Sequence, residues 1–459
     1  MGFPWQQTDR LLHHRWGFLR RSHVELHRCH RACAGVSLVG LRILAVQTPL
    51  QDPGRASECG TRIQTAWFAL VGAGHRLQAL GHHWQLEVGP QVLARSGSHG
   101  WRIGRDGCTN HDLAMDPGGR EERELRIHEG TRHVHRFHRR AKGHGRFDGP
   151  KYQYDPTNPE AARFLWSKWK ENYFDIGIRT FWLDPCDEFH GIQEYDQVLF
   201  HIGPARETHA YFPVAHQKNI YEGLIAAGEK EVVTICRNAW AGSQRYGACP
   251  APHDILSSFE HLEEYMKVGL NVAMSGIPWW SCDIGGFITH DNSSPRFHEL
   301  MVRWYQYAVF TPVFRTHGNR PNNEPWSIGG DSYRHVRAAI LLRERLRPYV
   351  MAQMKLASEE GLPPMRPIFF DFADDPKAEE VEDQFLFGPD LLVAPITKFE
   401  ARSREVYLPI GTEWTCAWTG QRQPGGQVVE ADAPIERIPV YVRGDDAGLL
   451  GLFKKVYSE

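Results

Sequence analysis

The pattern of apolar and polar positions is readable from about Lys151 onward. Ala161, Leu165, Trp169 and Tyr173 recur at i, i+4, i+8 and i+12, one buried helical stripe. The helix start is written just before it: Asn158 suits the N-cap, Pro159 the first helical position, and Glu160 the positive end of the helix dipole. Gly177 closes the helical region, and Ile178–Leu183 reads as a short strand ending at Asp184. The unit then repeats in kind. Glu231–Arg237 is a β-branched run, and Ile255, Phe259, Leu262 and Met266 mark another amphipathic helix. Asn271–Ile277 reads as a buried strand leading to Trp279-Trp280-Ser281-Cys282-Asp283. A helix carrying Val336, Ile340 and Leu346 follows Phe314-Arg315-Thr316-His317-Gly318. Strands alternating with helices, with polar residues gathered at strand ends, predict a parallel α/β sheet or barrel.

After about Arg366 the period shortens to that of strands and turns, clearest in Leu391–Ala394, Arg404–Leu408 and Ile438–Val442. This predicts a smaller all-β domain, a sandwich, over residues 366–459. Residues 1–148 show no sustained helical stripe and no alternating strand bounded by turn residues. They are left without a recognisable fold, and residues 149–365 are assigned to the α/β part.

Composition sharpens that division. Residues 1–150 hold 15 of the 25 histidines, 21 arginines, one lysine (Lys142), one asparagine (Asn110) and no tyrosine. In the same segment 22 basic against 13 acidic residues leave +9, while 31 against 42 leave −11 in the remainder. Three readings compete for this segment: a basic arm for nucleic acid, a metal cluster at His27, Cys29, His30 and Cys33, and out-of-frame translation of a GC-rich gene. The last accounts best for arginine and histidine without lysine, tyrosine or asparagine. The whole chain is near neutrality, with a formal charge of −2 over 459 residues, and contains no apolar stretch of membrane-spanning length. No nucleic-acid or membrane partner is expected. Nine scattered cysteines do not form a disulfide framework, and no charged-then-apolar segment opens the chain, so a cytoplasmic location is expected.

Candidate chemistry collects at the predicted strand ends. Asp184, Asp187, Glu188, Arg237, Asp254, Asp283 and His317 lie there with Trp182, Trp240, Trp279 and Trp280 among them. Carboxylates between aromatic platforms suit carbohydrate, because sugar C–H faces pack on rings while hydroxyls need polar partners. Two carboxylates flanking a glycosidic bond are the minimum machinery for its hydrolysis. A single acidic residue at a strand end is more often a cap or an ion-pair partner. There is no phosphate loop, dinucleotide fingerprint or His-Glu-x-x-His motif, and no cofactor or metal is expected.

At these positions the chain resembles glycoside hydrolase family 31, the retaining α-glycosidases that include α-xylosidases and α-glucosidases. The resemblance rests on several separate blocks between about Lys151 and Arg443: Lys151–Pro159, Phe181-Trp182-Leu183-Asp184, Arg237–Gly247, Gly276–Phe287, Phe314–Gly318 and Phe387–Pro395. It implies the C-terminal part of a (β/α)8 barrel followed by a β-sandwich. It implies Asp184 as the nucleophile that forms a covalent glycosyl-enzyme, and Asp254 as the general acid/base, ~5–5.5 Å away for retention. Mutual repulsion would raise the pKa of one member of that pair. Arg237, Asp283 and His317 would hydrogen-bond the sugar, with Trp182, Trp280 and Phe287 as walls. The Lys151–Pro159 block and Tyr211–Gly223 look most like the α-xylosidase side, so the expected activity is on terminal α-xylosides of an oligosaccharide or glycoside, with α-glucosides as the alternative. The chain departs from the family in three places. Ala251-Pro252-His253-Asp254 stands where Trp-Ser-Gly-Asp is usual, and Pro185-Cys186-Asp187-Glu188 replaces a more typical segment after the nucleophile. Residues 1–150 match none of the family's first three barrel strands. A catalytically inactive truncated member is therefore the third expectation. Whether the chain forms a homo-oligomer is left open.

Overall fold

Asn158 caps the first helix, its side-chain oxygen accepting from the Glu160 N–H at 2.9 Å, and Pro159 begins α1, Pro159–Trp169. The computed structural model describes residues 44–45, 155–184, 198–251, 254–321, 323–454 and 456. The described residues divide into two units, 155–251 and 254–456, the second including Leu44–Ala45. The segment 1–43, the histidine–cysteine cluster within it, and Asp187 and Glu188 lie outside the described residues.

In the first unit the stripe expected from spacing is the buried one. Ala161, Leu165 and Trp169 face the core, and a π-turn over Lys170–Phe174 carries Tyr173 along the same side, half-buried. The strands are shorter than the apolar runs: β1 spans Phe181–Leu183, and further on β2 spans Thr234–Cys236 and β3 spans Ala248–Pro250. Residues 178–180, expected as strand, precede the paired segment, and there Arg179 stacks over the Phe174 ring and pairs with Glu229 at 3.0 Å. The intervening helix α2, Phe212–Ala226, crosses α1 closely, and a Cβ at Gly223 would collide with the Trp166 indole. Leu165, Trp169, Phe181, Leu183, Ile220, Leu224 and Cys236 share one core. The sheet order is β1-β2-β3, all parallel.

The second unit opens with Ser258, whose hydroxyl accepts from the His261 N–H and caps α3, Phe259–Met274. Two expectations are corrected here. Ile255 precedes the cap, and Asn271–Met274 belongs to α3 instead of a strand. Leu262, Met266, Leu270 and Ala273 are all buried at helical spacing, so the same face simply continues for another turn. The extended run comes later, where Ser281 and Ile284 bridge in parallel to Val313 and Thr316. Helix α4, Pro295–Ala308, lies between these two runs and is capped by Ser294. Strand β4, Arg315–Thr316, also pairs in parallel with Leu44–Ala45. Helices α5, Gly330–Arg345, and α6, Arg347–Glu360, complete the α/β part.

The β part begins at β5, Met365–Arg366, and continues through β6 (Phe385–Phe387), β7 (Leu391–Val393), β8 (Ser403–Leu408), β9 (Glu413–Cys416), β10 (Arg422–Pro424), β11 (Gln427–Asp432) and β12 (Val440–Arg443). Six strands form one antiparallel sheet in the order β10-β9-β12-β7-β6-β5, and β8 pairs with β11 as a second, two-stranded sheet. Leu386, Leu392, Trp414 and Tyr441 of the first share a core with Val406, Leu408, Val429 and Ala431 of the second, the two-layer arrangement expected of a sandwich. Arg303 of α4, 1 % exposed, ties the two parts together. Its guanidinium donates to the carbonyls of Ala401, Ala433, Pro434 and Arg437 at 2.8 to 3.1 Å. No helix of the described residues is long and apolar enough to cross a membrane.

Candidate active site

In the first unit the register of the parallel strands decides what meets. Leu183 of β1 pairs with Cys236 of β2, and Cys236 with Pro250 of β3. The next residues, Asp184 and Arg237, therefore leave the sheet side by side. Arg237 Nη1 lies 3.5 Å from Asp184 Oδ1, with both side chains about four-fifths buried (20 % and 22 % exposed). A cation at that distance attracts a carboxylate and orients it. Trp182, one pairing step back, is half-buried. Trp240 lies beyond Arg237 on a turn closed by Ser243, whose hydroxyl accepts from the Trp240 N–H at 3.0 Å, and its indole is 57 % exposed.

In the second unit Asp283 lies between the bridged residues Ser281 and Ile284, and it is buried, 2 % exposed. It forms an ion pair with the fully buried Arg315, which also donates from Nε to the Ser281 hydroxyl at 3.1 Å. Burial raises the Asp283 pKa, Arg315 opposes that rise, and the negative charge of Asp254 adds to it. Asp254 itself is exposed. Trp280 is buried, packed 6.2 Å from the Tyr265 ring and against Gly269, where a side chain would collide with the indole. Phe287 and His317 are half-buried with ring centroids 5.0 Å apart. Burial, with Arg315 and then Arg320 as neighbouring cations, pushes His317 down to about 2, so its imidazole is neutral at physiological pH.

Two positively charged residues of this second cluster were not among the sequence candidates. Arg315 sits two residues before His317, and a strand period of two puts alternate side chains on one face, so the signal was present. Arg320 is buried and donates to the carbonyls of Gly286 and Ile284 at 2.6 and 2.8 Å, pinning the turn that carries Phe287. Gly286 in that turn has φ +74°, and a Cβ there would come within 2.8 Å of the Leu256 carbonyl oxygen. The structure thus brings Asp184 together with Arg237, and Asp283 with Arg315, Phe287 with His317. Among the described residues no group of His, Cys, Asp and Glu is arranged to hold a metal ion. Cys236, Cys249 and Cys282 are buried and Cys416 is half-buried, all four as free thiols.

Comparison with known proteins adds an independent line. The model of the "Glycosyl hydrolases family 31 TIM-barrel domain" matches residues 111–353, and that of the "Glycosyl hydrolase family 31 C-terminal domain" matches residues 361–447. These matches correspond to a TIM barrel followed by a C-terminal β domain. An α-xylosidase of Saccharolobus solfataricus is 32 % identical over 295 residues, covering 63 % of this chain and 40 % of the relative. An uncharacterized family 31 glucosidase, ORF2, of Pseudescherichia vulneris is 44 % identical over 174 residues, 38 % of this chain and 33 % of the relative. The crystal structure of a GH31 α-xylosidase from a soil metagenome, complexed with xylose, is 40 % identical with a TM-score of 0.69, covering 74 % of this chain and 53 % of that one. The chain thus spans a third to about half the length of these relatives.

Proposed function

Because the chain belongs to glycoside hydrolase family 31, we propose that it is a retaining α-glycosidase acting on terminal α-xylosides of an oligosaccharide or glycoside. Asp184 attacks the anomeric carbon as the bond to the leaving oxygen breaks, and Asp254 protonates that oxygen. Asp254 then takes a proton from water, whose oxygen displaces Asp184 and returns the sugar with its original configuration. Arg237 attracts and orients the nucleophile. Asp283, oriented by Arg315, accepts from sugar hydroxyls, and neutral His317 hydrogen-bonds another without adding charge. Trp182, Trp280 and Phe287 supply the apolar walls.

The observation that carries this reading is the register of β1 and β2, which sets Asp184 beside Arg237 at the C-terminal ends of parallel strands, where α/β barrels keep their catalytic groups. The α-xyloside preference is supported by the Saccharolobus and soil-metagenome relatives. The likeness to relatives with glucosidase names, among them an α-glucosidase of Bacillus thermoamyloliquefaciens, supports α-glucosides as the second reading. A reducing, cytoplasmic compartment is part of the same proposal.

The test is turnover of p-nitrophenyl α-xyloside and α-glucoside by the full chain and by Asp184→Ala. Loss of activity in the variant, with azide restoring turnover as a glycosyl azide of inverted configuration, is the expected result. Unchanged turnover by Asp184→Ala would sink the assignment. No turnover by the full chain would leave the inactive family member as the better account.

A further inference from the structure

We propose that a second pocket, separate from Asp283, Phe287 and His317, binds a neutral polyhydroxylated molecule the size of one sugar ring. It is a cavity of about 290 Å³ between the start of α4 and the segment from Arg320 to Ile328, near the lower limit of small-molecule sites. Its far wall carries Asn323, only 5 % exposed, whose amide nitrogen donates to the Gly318 carbonyl at 3.4 Å. The Asn323 carboxamide oxygen has no hydrogen-bond partner among the described residues. A buried acceptor without a donor is costly to fold around, and a hydroxyl entering the pocket supplies that donor.

The remaining lining selects the class of ligand. Glu324, 8 % exposed, accepts from hydroxyls, while Asn292 and Ser293 at the exposed rim both donate and accept. Arg320 and Glu324 balance in charge, and both Nη atoms of Arg320 are engaged with the carbonyls of Gly286 and Ile284. The lining therefore offers an anion no surplus of Arg and Lys over Asp and Glu. Phe297 adds an apolar surface for C–H groups. Mixed hydroxyl partners, one carboxylate and an aromatic ring describe a polyol or monosaccharide better than a phosphate or a metal ion. The pocket backs onto the turn of Phe287 through Arg320, and a Cβ on Gly318 would collide with that guanidinium, so the two places share Arg320 as a wall while Asn292, Asn323 and Glu324 line the pocket alone.

The experiment is calorimetric titration of the full chain with D-xylose, repeated for Asn323→Leu and for the rim variant Asn292→Leu. The expected result is a class of sites weakened about tenfold in each variant, one hydrogen bond's worth of affinity, with aryl-glycoside turnover within about twofold of the parent in Asn292→Leu. An iminosugar that occupies a glycosidase site should leave this class in place. Xylose binding unaltered in both variants overturns the proposal, as does full displacement of the class by the iminosugar. Because the readout is binding, a chain that never turns over a glycoside but keeps the Asn323-sensitive class would fail as a glycosidase and still uphold the pocket.

Discussion

Arg237 approaches Asp184 to 3.5 Å because Leu183 and Cys236 are paired in adjacent parallel strands and each charged residue follows its strand by one position. The pair is 53 residues apart in sequence, yet its contact is set by three backbone pairings. Arg237→Met removes the cation and is expected to lower kcat/KM by roughly 100-fold, the cost of losing one preorganised electrostatic partner. Arg237→Lys keeps the charge without the planar fork and should lose less. Steady-state kinetics on an aryl α-xyloside measures both. Equal losses, or none, would mean the guanidinium is not acting on Asp184.

Asp283 and Arg315 are both buried, so neither tolerates loss of the other. Asp283→Asn or Arg315→Met alone should cost about 3–5 kcal/mol by leaving an uncompensated buried charge. The double variant should cost less than the sum of the two. A double-mutant cycle by chemical denaturation reads the coupling, and additive losses would count against the pair as a structural unit.

Acid should destabilise this fold through its histidines. Burial lowers His216 from 6.5 to about 4, and His317 to about 2. A histidine with a depressed folded pKa binds fewer protons in the native chain than in the unfolded one between those values. Its contribution is complete above pH 6.5 and is lost as pH falls. For His216 the full loss by pH 4 is on the order of 3 kcal/mol. Asp283 runs the other way. Its pKa is raised, so its contribution is present below its ordinary value and fades as pH rises through the folded one. Urea midpoints between pH 7 and 4 test the sign, with His216→Phe expected to flatten the slope. A midpoint independent of pH would refute the histidine account.

Arg303 carries the junction between α4 and the β part, with four carbonyl acceptors and the Gln306 side chain around one guanidinium. Arg303→Met keeps most of the volume and strands those acceptors, so a loss of about 3 kcal/mol or more is expected. Because the contacts span two structural layers, the unfolding transition should also broaden or split. A single transition at the parent midpoint would show that the junction is held elsewhere.

Much of this was legible locally. Asn158 announces its helix because a cap is satisfied within two residues of itself. The stripe of Ala161, Leu165 and Trp169 follows from the helical period alone. Within Asn271–Ile277, expected as a strand, the short apolar run Val272–Met274 fits a strand or a helix equally well, and only the buried face of α3 decides. Arg320 escaped notice because its partners are backbone carbonyls 34 and 36 residues away, which leave no trace in side-chain spacing.

By itself the sequence determined the capped first helix and its buried stripe, the change to a strand-and-turn pattern after about Arg366, and the motifs that identify family 31. These depend on propensity, capping and short-range periodicity, which act within a few residues. Only the tertiary structure decided that Asp184 meets Arg237, that Asp283 is buried against Arg315, and that His317 is held neutral. Those outcomes arise from strand register and the exclusion of water, and both are set by residues far apart along the chain.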